Sequence, residues 1–188
     1  MANRVSTQTP DEVLSQVKRK LGFLPNLFRE MSISPSALKV YLDGQEALAS
    51  GMLSPREQQA VQLTVSAFNG CLYCQAAHEW LGGKVGISAD EREVIREGRV
   101  PPDEKLAAVV LATRQVLEKK GWLDVSAVRA LEQGGITRAQ LYEIIAYIGV
   151  KTISNYINHI AHTPIDEQFQ PEGKSCAIDM TNDSTCSC

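Results

Sequence analysis

Strong helix formers fill most of this chain, and its regular interruptions are short breaks rich in Gly, Pro and Ser-Pro. Runs such as LATRQVLEKK and QEALAS favour helices because their residues lose little side-chain freedom there. No segment shows the sustained apolar–polar alternation between hairpin turns that is typical of strands. We therefore predict an all-α fold. The predicted helices cover about residues 10–20, 35–50, 55–68, 71–85, 88–97, 103–120, 124–133 and 137–161.

Composition is that of an ordinary globular protein. The 188 residues suffice for one domain with a core, and the apolar and charged fractions are 44% and 22%. A net charge of −3 gives no sign of a nucleic-acid or anionic membrane partner. No apolar run approaches the roughly 18 residues of a membrane span, and the first residues lack the apolar core of a secretory signal. We therefore expect a cytoplasmic protein, in which ordinary thiols are kept reduced.

The clearest helix boundary lies in the stretch GMLSPREQQAVQL. Ser54 is the predicted N-cap, Pro55 fits the first helical position, and Glu57 lies three residues after Ser54, which is a capping box. The Asn-Gly pair at 69–70 predicts the end of this helix. The next helix is therefore expected to open immediately after that pair.

Two cysteines and a histidine stand at the predicted start of that next helix. Cys71 and Cys74 are three residues apart, and Cys74 and His78 are four apart, so all three are expected on one helical stripe. Unpaired N–H groups and the helix dipole at a helix start favour a thiolate over a thiol. His78, one turn on, is a candidate to accept the proton or to hold the thiolate. A thiolate beside a second thiol is the arrangement that a peroxide-reducing centre needs.

Other interpretations of this cluster stay open. A cysteine is often a small buried hydrophobic residue rather than a nucleophile. The three side chains also supply three zinc ligands, with His159, His162 or a C-terminal cysteine as a fourth, although no second ligand pair has zinc-finger spacing. A thioredoxin-like fold is disfavoured because the βαβ pattern is missing. We predict neither a metal nor a cofactor.

The last predicted helix, within LYEIIAYIGVKTISNYINHIA, is apolar nearly all round. Such a helix is buried in a core or covered by another subunit, and we favour an oligomer interface. His159 and His162 lie near its end, and for His159 we favour a packing or interface role. Tyr73, between the two cysteines, is expected to face away from their stripe and to pack in the core or an interface.

The C-terminal residues differ in character from the rest of the chain. The stretch PEGKSCAIDMTNDSTCSC is small, polar and rich in turn formers. We predict a helical domain over residues 1–170 and a flexible tail over 171–188. The tail carries Cys176, Cys186 and Cys188, which we expect to be incidental thiols.

One stretch, LSPREQQAVQLTVSAFNGCLYCQAAHEW, resembles the signature of the AhpD-like alkylhydroperoxidases of the carboxymuconolactone decarboxylase superfamily. The flanking stretches LGFLPNLFREMSISPSALKVY and NYINHIAHTPID resemble the peroxidase-related branch of that group. The resemblance covers about residues 10–168. It implies an AhpD-like helical bundle assembled as a dimer, trimer or hexamer, and cysteine-based reduction of hydroperoxides.

The resemblance also implies roles for single residues. Carried over, Cys74 is the attacking thiolate, Cys71 the resolving thiol, and His78 a member of a proton relay. The family has a glutamate twelve residues before the first cysteine, where this chain has Gln59. An amide does not take up and release a proton at neutral pH. The nearest acid, Glu57, is expected to point elsewhere, since two residues correspond to about 200° of helical rotation.

The leading hypothesis is therefore a cysteine peroxidase or thiol–disulfide oxidoreductase. Its expected partners are a small hydroperoxide substrate, a dithiol or protein reductant, and further copies of the chain. One alternative is a carboxymuconolactone-decarboxylase-like lyase that does not depend on the thiols. The other is a non-enzymatic interaction protein stabilised by zinc.

Overall fold

The computed structural model describes residues 9–170, and the predicted all-α fold is confirmed, since these residues contain helices and no strand. The proposed tail, with Cys176, Cys186 and Cys188, lies outside the described residues. The helices are α1 (Pro10–Leu21), α2 (Asn26–Met31), α3 (Pro35–Ala49), α4 (Pro55–Phe68), α5 (Leu72–Lys84), α6 (Ala89–Arg96), α7 (Glu104–Lys119), α8 (Val125–Gln133) and α9 (Arg138–Ala161), followed by a short 3-10 helix (Glu167–Phe169).

Most helix starts are set locally, by side chains that cap the first turn. The predicted capping box of α4 is confirmed, with the Ser54 side chain accepting from the Glu57 amide and the Glu57 carboxylate accepting from the Ser54 amide. Three more helices, α1, α6 and α9, begin with the same motif. Such motifs can be read from the sequence because both partners lie within three residues of each other.

The six-residue helix α2 was not predicted. It is too short to show a periodic apolar pattern, and its N-cap, Pro25, forms no side-chain capping bond. Its first amide, at Asn26, instead donates to both carboxylate oxygens of Asp166, at 3.2 and 3.1 Å. Because this acceptor is 140 residues away in the chain, no local pattern indicates the helix.

Helix α4 is the centre of the fold and packs against α5, α6, α7 and α9. It is buried on almost every side, and its apolar residues join a core shared with α7 and α9. A second cluster surrounds the cysteines and includes Leu27, Met31, Leu38 and Tyr41. Helix α3 approaches α9 closely at Gly44, where a Cβ atom would lie 2.8 Å from Val150 Cγ2. This close approach brings Tyr41 to the inner side of α9.

Tyr73 joins the start of α5 to both ends of the described chain. It is buried, as predicted, and its hydroxyl donates to Asp166 Oδ2 at 2.5 Å and accepts from the Leu27 amide at 3.2 Å. Its ring packs edge-on against Phe169, with ring centroids 5.9 Å apart. Asp166 also accepts from the Asn26 amide. One phenol and one carboxylate thus hold α2, α5 and the C-terminal segment together.

The last helix, α9, differs from the prediction on its inner side. Its inner side carries buried polar residues, whereas the sequence was interpreted as apolar nearly all round. Its outer side is exposed in the single chain, with Tyr142, Ile145, Tyr156 and Ile160 each at least 44% exposed. His159 is also on this outer side, stacked on Tyr156. The predicted oligomer interface stays a prediction. None of the helices in residues 9–170 meets the length and hydropathy required to cross a membrane.

Replacing Tyr73 by Phe should lower the free energy of unfolding by about 1–3 kcal/mol, because the Leu27 amide loses its acceptor and Asp166 loses a donor. Urea unfolding measures this change. Tyr156→Phe is the matched control, since it removes a hydroxyl from an exposed ring and should change stability by less than about 0.5 kcal/mol. Equal effects of the two variants would contradict the joining role of Tyr73.

We expect the outer side of α9 to be covered by a second copy of the chain. Ile145→Asp places a charge within this uncharged surface and should lower the molar mass measured by light scattering coupled to size-exclusion chromatography. Val125→Asp makes the same kind of change at a 70% exposed position on α8 and should leave the mass unaltered. A wild-type protein that is already monomeric would show the interface prediction to be wrong.

Candidate functional site

A tight turn delivers the cysteines to the start of α5. Gly70 adopts a left-handed conformation, with φ +69°, and the Cys71 amide then donates to the Ser66 carbonyl at 2.9 Å. Cys71 is the N-cap residue of α5, and Cys74 lies in its first turn. The predicted placement of the pair at a helix start is therefore confirmed, with Cys71 one residue before the helix.

Both cysteines are free thiols and both are buried, with exposed fractions of 2% and 1%. The Cys74 sulfur is approached by the amide nitrogen of Asn158 at 3.2 Å and by the Ser154 hydroxyl at 3.8 Å. The same Asn158 nitrogen lies 3.9 Å from the Cys71 sulfur. Polar donors thus surround the sulfur atoms, which is not the apolar packing of cysteines that merely fill space.

A buried polar stripe of α9 forms the opposite wall of the site. Lys151, Ser154, Asn155 and Asn158 follow one another at the i, i+3, i+4 and i+7 positions of one helical face, and each is at most 5% exposed. The Lys151 ammonium group lies 5.8 Å from the centroid of the Tyr41 ring.

Sequence reasoning missed this stripe. One signal was available, because Lys151 is the only Lys, Arg, Asp or Glu between Glu143 and Asp166. A lone charge in an otherwise apolar helix is costly to bury, and so it indicates a special role. The polar residues that follow Lys151 repeat at helical spacing, which indicates a shared face.

The two thiols differ strongly in acidity. The hydrogen bond from the Cys71 thiol lowers the pKa of Cys74, burial opposes this effect, and the positive charge of Lys151 together with Ser154 and Asn155 lowers it further. The net pKa of Cys74 lies well below that of an ordinary thiol. The pKa of Cys71 is raised by the same hydrogen bond, by burial and by the negative charge of Cys74. This asymmetry favours a Cys74 thiolate beside a protonated Cys71.

Lys151 keeps its proton in this reduced state. Burial lowers the pKa of Lys151, but the charge of Cys74 and the neighbouring Tyr41 and Cys71 raise it by more, so that the net shift is upward. The ammonium group and the thiolate therefore stabilise each other inside the protein. Neither charge is paired with a carboxylate of the described residues.

His78 is buried and its ring meets Gln59. The distance between His78 Nδ1 and Gln59 Oε1 is 2.9 Å, so that Nδ1 donates its proton to the amide oxygen. Burial, and then the charge of Lys151, hold the pKa of His78 well below its usual range. His78 is therefore neutral, and the hydrogen bonds of the Cys74 sulfur run to Ser154 and Asn158 rather than to His78. Glu57 caps α4 and does not take the place of Gln59.

Two amide atoms in the site lack partners among residues 9–170. They are the Asn155 nitrogen Nδ2 and the Asn158 oxygen Oδ1, and both are buried. Asn155 Oδ1 accepts from the Asn69 side chain at 2.9 Å, which fixes the direction of its amide group. The Asn158 nitrogen faces the Cys74 sulfur, so that its oxygen points away from the thiolate. One donor and one acceptor are thus available beside Cys74.

A cavity of about 780 Å³ lies between α1, α3 and α4. Gln59 and Gln62 are among its lining residues, whereas the two cysteines are not. The Gln45 side chain, also at the cavity, bonds to Gln62 at 2.9 Å and to the Tyr41 hydroxyl at 3.3 Å. A chain of amide groups therefore leads from the cavity towards the inner site, while the sulfur atoms stay closed off from solvent.

The other candidate residues are not brought to this site. Within the part of the chain that the structure describes, no group of three or more His, Cys, Asp or Glu side chains is placed to hold a metal ion. His159 is exposed, and His162 adopts a left-handed conformation at the C-cap of α9. Neither histidine is among the hydrogen-bond partners of Cys71 or Cys74.

Residues 35–115 match the model of the Carboxymuconolactone decarboxylase family. This span contains Cys71, Cys74, His78 and Gln59, while the polar stripe of α9 lies beyond it. The comparison with curated proteins gives no match.

Solved structures share the fold over most of the chain. A peroxidase-related protein of Ralstonia eutropha JMP134 with an alkylhydroperoxidase AhpD core is 23% identical, with a TM-score of 0.73 over 85% of this chain and 86% of that one. A peroxidase-related protein of Silicibacter sp. TM1040 is 16% identical, with a TM-score of 0.73 over 87% and 90%. The debrominase Bmp8 is also 16% identical, with a TM-score of 0.66 over 89% and 91%.

At these identities the structural likeness establishes the fold, and the match over residues 35–115 adds the sequence evidence. The cysteine pair, the all-α architecture and both comparisons lead to the same assignment. The chain is an AhpD-like member of the carboxymuconolactone decarboxylase superfamily.

Proposed function

We propose that this protein reduces hydroperoxides through the Cys71–Cys74 pair, with Cys74 as the attacking thiolate and Cys71 as the resolving thiol. The observation that carries the proposal is the charge arrangement around Cys74. Its sulfur receives the Asn158 amide at 3.2 Å, and the buried cation of Lys151 lowers the pKa of the thiol. A thiolate is the form of cysteine that attacks an O–O bond.

The proposed reaction has three steps. The Cys74 thiolate attacks the outer peroxide oxygen, the O–O bond breaks, and Cys74 becomes a sulfenic acid while the leaving oxygen takes up a proton as an alcohol. The Cys71 thiol then condenses with the sulfenic acid to give a disulfide and water. An external dithiol or a reduced protein returns the disulfide to the starting pair by thiol–disulfide exchange.

The surroundings of Cys74 support a hydroperoxide as the substrate. A hydroperoxide carries one O–H donor and oxygen acceptors, and the site offers the Asn158 oxygen as an acceptor and the Asn155 nitrogen as a donor. Both atoms are buried, so that a polar ligand gains more there than at a surface. Because the sulfur atoms are closed off from solvent, substrate access requires a local opening of the packing around them.

In this proposal His78 acts as the proton relay of the second step. It is neutral, and with Nδ1 bonded to Gln59 its other ring nitrogen is free of a proton. That nitrogen can accept the Cys71 proton as the disulfide forms and return it to the departing hydroxide. Gln59 then sets the ring orientation but takes no part as an acid or base.

A second candidate reaction uses the same thiolate on a halogenated aromatic compound. The debrominase Bmp8 shares the fold of this chain, and removal of a bromine is also an attack by an electron-rich group on an electron-poor atom. Bromide release from a brominated pyrrole, measured beside peroxide consumption, separates the two candidates. Bromide release without peroxide consumption would favour dehalogenation.

The roles of the two cysteines are tested in a protein whose Cys176, Cys186 and Cys188 are all replaced by Ser. Consumption of cumene hydroperoxide with dithiothreitol should fall to the uncatalysed rate in the further variant Cys74→Ser. Cys71→Ser should complete one turnover and then accumulate a sulfenic acid on Cys74, which dimedone labels and mass spectrometry locates. Equal consumption by all three proteins would contradict the proposal. A lactone decarboxylase activity that survives loss of both thiols would instead support the lyase alternative.

Replacing Gln59 by Glu tests the proton relay. The new carboxylate would stand 2.9 Å from His78 Nδ1, and an opposite charge at that distance should raise the pKa of His78 by about one to three pH units. Titration of the histidine signals by nuclear magnetic resonance measures the change, and peroxide consumption should become faster. Gln133→Glu adds the same charge at an exposed position on α8 and is the matched control. An unchanged His78 pKa in Gln59→Glu would show that the two side chains do not pair in solution.

A further inference from the structure

Lys151 is buried without the usual counter-ion of a lysine. It is 1% exposed, and no carboxylate of residues 9–170 lies within 4.0 Å of its ammonium group. Removing a charged ammonium group from water costs several kcal/mol unless an opposite charge and hydrogen bonds compensate. A lysine at such a position therefore needs an anion from some other group.

The Cys74 thiolate is the anion that the site provides. The titratable groups that face Lys151 are Tyr41 from α3 and Cys71, Cys74 and His78 from the start of α5. Tyr41 is a phenol, which is neutral at physiological pH, Cys71 is protonated, and His78 is neutral. Cys74 is thus the negative charge that offsets Lys151, and each group depends on the other for its ionised form.

This dependence has a chemical consequence when Cys74 reacts. Attack on a hydroperoxide turns the thiolate into a neutral sulfenic acid, and Lys151 loses its counter-ion at that moment. A buried ammonium group without an anion favours the neutral amine. Lys151 is thereby driven to release a proton while the leaving oxygen of the peroxide gains negative charge.

No other group in the site is suited to supply that proton. His78 is already neutral and its Nδ1 proton is engaged with Gln59. The amides of Gln59, Asn155 and Asn158 do not release protons at neutral pH.

We propose that Lys151 is the acid that protonates the leaving oxygen when Cys74 attacks, and that the site is thereby matched to alkyl hydroperoxides, whose alkoxide leaving group requires a proton. This inference rests on the proposed peroxide reduction and assigns the proton of its first step. A peracid differs in this respect, because its leaving group is a carboxylate that departs without protonation.

The protons and electrons balance over the cycle. In the first step the thiolate and the hydroperoxide give a sulfenic acid and an alkoxide, and the Lys151 ammonium group converts the alkoxide to an alcohol and becomes an amine. In the second step the Cys71 thiol and the sulfenic acid give a disulfide and water. The external dithiol then supplies two electrons and two protons, of which one returns to Cys71 and the other to Lys151.

The test compares tert-butyl hydroperoxide with peracetic acid as oxidants of the full-length protein in single-turnover measurements. Loss of thiolate slows both reactions equally, so that the ratio of the two rate constants reports leaving-group protonation alone. In Lys151→Met the ratio of hydroperoxide to peracid rate should fall about 100-fold or more. Lys105→Met, at an exposed lysine on α7, is the matched control and should keep the wild-type ratio.

Lys151→Arg keeps a positive charge beside Cys74 but does not release a proton. Its thiol should therefore alkylate at low pH as in the wild type, while its rate ratio falls as in Lys151→Met. A wild-type ratio in both variants would overturn the role of Lys151 and leave peroxide reduction intact. A wild-type protein that reacts with neither oxidant would overturn the proposed function itself.

Discussion

The ion pair between Lys151 and Cys74 is the interaction on which the rest of the site depends. Two opposite charges inside a protein stabilise each other only when water is excluded and hydrogen bonds satisfy the remaining donors and acceptors. The site meets this condition with the Asn158 amide and the Ser154 hydroxyl on the sulfur side. It also requires three helices to meet, since Tyr41 comes from α3, Cys74 from α5 and Lys151 from α9.

The rest of the fold holds these helices in place. Gly44 lets α3 approach α9, and Tyr73 joins α5 to α2 and to the C-terminal segment through Asp166. Tyr73 stands between the two cysteines in the sequence but points to the opposite side, where it anchors the helix start that carries them. The position of Cys74 relative to α9 is therefore fixed by contacts on both sides of the same helical turn.

Proton handling in this chain differs from the pattern implied by its family resemblance. Gln59 holds His78 in one orientation but adds no negative charge, and burial beside Lys151 keeps the imidazole neutral. A neutral imidazole is suited to accept a proton, whereas the leaving oxygen needs a donor. In the proposed mechanism this division of labour assigns the accepting role to His78 and the donating role to Lys151. The fold itself does not decide the reaction, as a debrominase has the same architecture.

The sequence by itself determined the features that depend on neighbours along the chain. Helix periodicity and caps such as Ser54–Glu57 involve residues within one or two turns, so the all-α class, most helix bounds and the helix-start position of Cys71 and Cys74 were predictable. Only the tertiary structure decided that Asp166 caps α2 and that Lys151 faces Cys74, since these partners are separated by 140 and 77 residues. Contacts at such separations depend on how helices pack, and packing leaves no periodic trace near either partner.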